Sequence, residues 1–122
     1  MGTFYTSCRV GNHIQRRKSA EVPRMLVDTG TEFTWIDAET LKSIGVKREK
    51  KDYTFVVANG QEITRAVGFA VLHVGDAVTT DEVVFGELGD LELLGARSLE
   101  GLNLRVDSRA KKLVAGGPIL AA

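Results

Sequence analysis

The 122-residue sequence contains a single cysteine and only two histidines. One cysteine cannot form a disulfide within the chain, and so few thiol and imidazole groups argue against a structural zinc site. Cys8 falls in an alternating stretch where it shares one face with Phe4 and Val10, which predicts a buried thiol. We therefore expect neither a metal site nor a cofactor.

The chain also lacks an excess of charge of either sign, because 16 lysine and arginine residues balance 16 aspartate and glutamate residues. A neutral chain gives no electrostatic reason to expect nucleic acid as a partner. No apolar run approaches the roughly 20 residues that cross a bilayer, and no signal peptide is visible at the N-terminus. These absences predict a cytoplasmic protein with no direct membrane insertion by this chain, while a membrane-anchored parent protein stays open.

Short apolar stretches separated by turn residues make up most of the sequence. Two short helices are predicted, over residues 38–44, between Asp37 as N-cap and Gly45 as the stop, and over residues 96–100. The polar residues 16–21 predict a loop. The pattern is typical of an all-β barrel or sandwich, in one domain over residues 1–122. Strands are predicted over residues 3–10, 22–28, 33–36, 53–57, 63–74, 78–85, 91–94, 102–106 and 112–115.

One apolar strand runs directly into the tripeptide Asp28-Thr29-Gly30. The Thr29 hydroxyl can hold this loop by a hydrogen bond, and Gly30 can turn the chain and present its N–H to the carboxylate. A second apolar run, Leu93-Leu94-Gly95, comes late in the chain before a predicted helix. Asp-Thr-Gly is also a common turn sequence, so an Asp28 that merely caps a turn is the competing interpretation.

With these two segments the chain resembles the retropepsin-like aspartic proteases, and among them the bacterial and cellular single-lobe members. That family carries apolar-apolar-Asp-Thr/Ser-Gly-Ala, and later apolar-apolar-Gly before a short helix. Here Thr31 stands in place of the usual alanine, where its hydroxyl can hydrogen-bond the Asp28 carboxylate. The resemblance implies an all-β fold, a closed β-barrel of the acid-protease type with one or two short helices. It also implies a flap, the hairpin that turns at Asn59-Gly60 and closes over substrate.

Peptide hydrolysis by an aspartic protease needs two carboxylates about 3 Å apart that share one proton. The chain holds one Asp-Thr-Gly, so the resemblance implies a homodimeric aspartic endopeptidase in which each copy supplies a catalytic Asp28. Thr29, Gly30 and Thr31 would support the catalytic loop. The resemblance further implies a peptide or protein substrate, and its expected binding residues are Glu32, Asn59, Gly60 and Leu94.

Two other functions compete with the protease hypothesis. The first is a non-catalytic dimeric protein-interaction module that keeps the retropepsin fold. The second is a monomeric β-barrel that binds a small ligand. If the chain dimerises, terminal strands are the expected contact, formed either by residues 118–120 or by residues 4–6. Trp35, a lone aromatic in an apolar strand, is expected to pack in the core.

Overall fold

The computed structural model describes residues 3–121, in which nine strands and two short helices are found. The helices are α1 (Ala38–Ser43) and α2 (Ala96–Gly101), and neither of these two is long and apolar enough to cross a membrane. The strands are β1 (Tyr5–Asn12), β2 (Ser19–Asp28), β3 (Thr34–Asp37), β4 (Lys50–Val56), β5 (Glu62–Val74), β6 (Ala77–Gly86), β7 (Leu93–Gly95), β8 (Leu104–Asp107) and β9 (Lys112–Ala115).

Six of the strands close into a barrel. Their order is β1-β2-β7-β3-β6-β5, and β5 pairs back with β1 to complete the circle. Two pairings are parallel, β2 with β7 and β3 with β6, and the others are antiparallel. Strands β8 and β9 form a separate two-stranded sheet. The closed all-β barrel with two short helices is therefore confirmed.

The long strand β5 belongs both to the barrel and to a hairpin that extends from it. Its first half pairs with β4 and its second half with β1. Between the two halves lies Gly68, where a Cβ atom would overlap the Lys47 carbonyl oxygen, so the close approach requires glycine. The β4–β5 hairpin turns at Asn59-Gly60, as the sequence predicts, and Gly60 has a φ of +85° that favours glycine.

Trp35, Val67 and Val84 form a small separate buried cluster, whereas most other buried apolar side chains of the strands and of α1 meet in one core inside the barrel. Cys8 is 1% exposed within it, which confirms the buried thiol, and burial raises the pKa of this thiol to about 12. The largest fully buried side chains are Phe85, Met25, Ile36, Leu41, Leu72 and Leu94.

Two local predictions were wrong. Residues 19–21 belong to β2 rather than to a loop, because they pair with residues 9–11 of β1, which in turn pairs with β5. Leu102 is the C-cap of α2 and not part of a strand. The prediction that Asp37 is the N-cap of α1 is confirmed, and its side chain makes no capping hydrogen bond.

Candidate active site

Asp28 is the last residue of β2, and the parallel pairing of β2 with β7 places it beside Gly95. The chain after Asp28 crosses closely over this glycine, because a Cβ atom on Gly95 would lie 2.5 Å from the Phe33 carbonyl oxygen. The first residue of α2 holds the segment that follows Asp28 in place, because the Ala96 N–H donates a hydrogen bond to the Thr31 carbonyl oxygen at 2.7 Å. The two apolar segments of the sequence therefore form one structural unit.

Both oxygens of the half-buried Asp28 carboxylate accept a hydrogen bond from the loop that follows. The Gly30 N–H donates to Oδ1 at 2.9 Å, and the Thr31 hydroxyl donates to Oδ2 at 2.8 Å. These two bonds fix the plane of the carboxylate relative to the loop. A carboxylate held by preorganised donors is suited to act on a bound substrate without reorganising.

A chain of hydrogen bonds in the protein interior supports the loop that follows Asp28. The Gly95 N–H donates to the Thr34 hydroxyl at 3.0 Å, and the Thr34 and Ser98 hydroxyls lie 2.6 Å apart. The Ser98 hydroxyl donates to the Asp81 carboxylate at 2.9 Å, so the Thr34 hydroxyl donates to Ser98. Sequence reasoning missed this network, although a threonine inside the apolar stretch of residues 33–36 was a signal that a polar partner would be needed.

An open cleft of about 830 Å³ lies beside the loop that follows Asp28. Its floor includes residues 30–32, and its sides come from the β4–β5 hairpin and from the turn before β7. Four aromatic side chains, which we call the aromatic wall, line it with ring centroids 5.2–5.9 Å apart for each contacting pair. The aromatic wall consists of Phe33, Trp35, Tyr53 and Phe55. Trp35 is 8% exposed, and it packs against Phe55.

A sequence model of a family described as aspartyl protease matches residues 18–104, which include Asp28 and its loop, the β4–β5 hairpin and Gly95. The chain belongs to the aspartyl protease family. Its fold is similar to that of a retropepsin-like aspartic protease from Rickettsia conorii, with a TM-score of 0.53 and 22% sequence identity. That likeness covers 88% of this chain and 78% of the Rickettsia chain. No curated protein matches the sequence.

The substrate-binding residues predicted for this aspartyl protease lie in three different environments. Glu32 is exposed and lines the cleft. Asn59 and Gly60 are exposed at the tip of the hairpin, beyond the segment 56–58 that lines the cleft. In the Asn59 turn, the side-chain Oδ1 accepts the Gln61 N–H at 2.9 Å, which stiffens the tip.

The prediction that Leu94 contacts substrate was wrong. Its side chain is 0% exposed and packs in the barrel core. Consecutive residues of a strand face opposite sides, so the neighbouring Leu93 lines the cleft instead and packs against Trp35.

Thr29 faces away from the cleft. It is exposed and borders a second groove of about 390 Å³, formed by α2 and β8. The loop after Asp28 therefore separates two cavities, with Gly30 and Thr31 on the cleft and Thr29 on the groove.

Two ion-pair clusters near the cleft were not predicted. Glu82 of β6 accepts hydrogen bonds from Lys50 and Arg97, and the Lys50 bond is the main reason that the pKa of Glu82 lies below its usual range. Arg65 binds Asp90 and lowers its pKa in the same way. Among the described side chains, no three His, Cys, Asp or Glu residues gather as a metal site would require.

Proposed function

We propose that this aspartyl protease is an endopeptidase that works as a homodimer, with residues 1–122 of each copy acting as one protease domain. Each copy contributes Asp28 to a single shared active site. The proposal depends above all on one observation, an Asp28 carboxylate held at both oxygens by Gly30 and Thr31 beside an open cleft. Peptide hydrolysis of this kind needs two such carboxylates, and each chain supplies one.

In the proposed dimer the two Asp28 carboxylates share one proton, because two carboxylates about 3 Å apart cannot both be ionised. The ionised carboxylate takes a proton from a water molecule, and the protonated one donates a hydrogen bond to the scissile carbonyl. The water oxygen then attacks the carbonyl carbon. The carboxyl that took the proton from water returns it to the amide nitrogen, which allows the C–N bond to break, and no cofactor is required.

The cleft supplies contacts that suit an extended peptide. The exposed carboxylate of Glu32 can accept backbone N–H groups of the substrate, and the aromatic wall can bury apolar side chains. Asn59 and Gly60 would reach the substrate only when the hairpin closes, since both lie beyond the cleft-lining part of the hairpin. The β4–β5 hairpin thus acts as the flap in this proposal.

The proposed dimer brings the second copy to the side of the loop opposite the cleft. Thr29 is exposed there beside the groove between α2 and β8, where the matching loop of a partner would be accommodated. Of the two terminal segments expected to contact a partner, residues 118–120 form no strand in the single chain, and Ile119 and Leu120 are 73% and 90% exposed.

Digestion of a peptide library between pH 3 and pH 7 tests the activity, with Asp28→Asn as the matched inactive variant. We expect cleavage by the native protein and a loss on the order of 10⁴-fold in the variant, with the same circular dichroism spectrum and sedimentation. Full activity of Asp28→Asn would refute the assignment of Asp28 as the catalytic residue. A folded dimer that cleaves nothing would instead identify a non-catalytic interaction module.

Mixing the two proteins tests whether one site needs two chains. In an equilibrated equimolar mixture at fixed total protein, about one quarter of the dimers carry two native copies. Activity should then fall to about one quarter of that of the native protein, whereas independently active monomers would retain about half.

A further inference from the structure

Glu82 connects two cations that each lie on an aromatic ring of the cleft. Its Oε2 is 2.6 Å from Lys50 Nζ, and its Oε1 is 3.3 Å from Arg97 Nη2. Lys50 Nζ lies 5.0 Å from the centroid of the Tyr53 ring, and Arg97 Cζ lies 4.8 Å from that of Phe33. We call these five residues the Glu82 clasp.

The two aromatic rings of the Glu82 clasp contact each other, with the centroids of Phe33 and Tyr53 5.9 Å apart. Phe33 follows the catalytic loop, whereas Tyr53 belongs to β4 of the flap hairpin. Both rings line the cleft, and Glu82, whose side chain is 15% exposed, is absent from the lining. Glu82 therefore reaches the cleft only through the residues it holds.

We propose that Glu82 is a positioning residue that keeps the Phe33 and Tyr53 rings in contact and thereby sets the affinity of the cleft for peptide. The kinetic part of this inference rests on the proposed function. The structural part, that Glu82 keeps the base of the flap against the catalytic side of the cleft, does not.

The Glu82 clasp depends on the negative charge of the Glu82 carboxylate. Lys50 and Arg97 repel each other, and the ionised carboxylate between them compensates that repulsion while accepting a hydrogen bond from each. A glutamine has nearly the same shape, but it leaves the two cations uncompensated. Each cation would then turn toward solvent and withdraw from its ring, because the cation–π contacts are exposed and weak.

Hydrogen exchange and fluorescence test the structural part without any substrate. Trp35 is the single tryptophan of the chain, and it contacts Phe55, which packs on both Phe33 and Tyr53. In Glu82→Gln we expect amides of β4 to exchange about threefold faster, because both partly exposed ion pairs of Glu82 are lost. Acrylamide should also quench Trp35 more strongly.

A matched control is Glu21→Gln. Glu21 also pairs with an arginine, at 2.8 Å from Arg9, but both side chains are more than half exposed and neither lines the cleft. We expect its β4 exchange and Trp35 quenching to equal those of the native protein. If Glu82→Gln gives the same values as this control, the proposal is overturned. If Glu82→Gln does not fold, Lys50→Met replaces it, because methionine keeps the aliphatic stem and removes one ion pair. Its β4 exchange and Trp35 quenching are then compared with those of Glu21→Gln.

The kinetic part is tested by the separation of KM and kcat. We expect the aromatic wall to contact a bound peptide equally in the ground state and the transition state, so Glu82→Gln should raise KM about threefold with kcat unchanged. A fall in kcat with KM unchanged would contradict the claim about affinity. A native protein that cleaves no peptide would refute the proposed function, and the exchange and quenching comparison would still decide whether Glu82 positions the rings.

Discussion

Arg65 and Asp90 form a two-pronged ion pair across one edge of the cleft. Arg65 Nε is 2.8 Å from Oδ2 of Asp90, and Nη2 is 3.1 Å from Oδ1. Only 15% and 17% of the two side chains is exposed. Arg65 lies opposite Tyr53 in the β4–β5 hairpin, and Asp90 also accepts the Glu87 N–H at 2.7 Å. The pair therefore joins the base of the β4–β5 hairpin to the turn before β7.

We expect Asp90→Asn to lower the free energy of unfolding by about 1–2 kcal/mol at pH 7, because the guanidinium loses its charged, two-point acceptor. Urea denaturation monitored by circular dichroism measures the change. Arg65→Lys is the informative companion, since it keeps the charge but not the planar fork, and it should lose part of the same free energy. A variant as stable as the native protein in both cases would contradict a structural role for the pair.

The same pair predicts a pH dependence. Arg65 holds the pKa of Asp90 below its usual range in the folded chain. A carboxyl whose pKa is lowered by folding contributes its full stabilisation at neutral pH and loses it as the pH falls through the lowered pKa. The difference in stability between the native protein and Asp90→Asn should be constant from pH 7 to about pH 5 and shrink below about pH 4. A difference that persists undiminished at pH 3 would refute the assignment.

The hydroxyl of Thr31 is expected to matter to catalysis because it holds one oxygen of the Asp28 carboxylate. Thr31→Val keeps the branched shape and removes the hydroxyl, so kcat/KM should fall about tenfold, the equivalent of one hydrogen bond to a charged group. Thr31→Ser restores the donor and should retain most of the activity. Equal kcat/KM values for the two variants on the same peptide would show that the bond does not contribute.

Gly95 should tolerate no side chain. A Cβ atom there would lie 2.5 Å from the Phe33 carbonyl oxygen and 2.6 Å from that of Glu32, and backbone at a strand crossing cannot move away. Gly95→Ala should therefore lose about 3 kcal/mol of stability. At Gly11, also in a strand, the nearest atom to an added Cβ is 3.7 Å away, so Gly11→Ala should be nearly neutral. Thermal unfolding of both variants provides the comparison.

The parts of the site that the sequence predicts are those whose contacts are local. Gly30 and Thr31 reach the Asp28 carboxylate from two and three residues away, so the motif itself implies both hydrogen bonds. The alternation of apolar and polar residues likewise indicates an all-β fold, because it can be recognised in the sequence of each strand alone.

The unpredicted parts depend on pairings between distant residues. Lys50 and Glu82 are 32 residues apart, and Arg65 and Asp90 are 25 apart. All four side chains are charged and lie in strands or turns, where the expected place of a charge is solvent. Only the folded barrel brings each cation to one carboxylate, so no local pattern could have identified the partners.

The alternation within β7 leads to a last prediction about two adjacent leucines. Leu94 is fully buried in the core, so Leu94→Ala should lower the free energy of unfolding by about 2–5 kcal/mol through the cavity that it leaves. Leu93 is half-buried and lines the cleft beside Trp35, so Leu93→Ala should cost less stability and raise KM about fivefold. Urea denaturation and peptide kinetics on both variants separate the two effects. If the KM increase appeared in Leu94→Ala while Leu93→Ala was the less stable protein, the faces of β7 would be reversed and the cleft wrongly located.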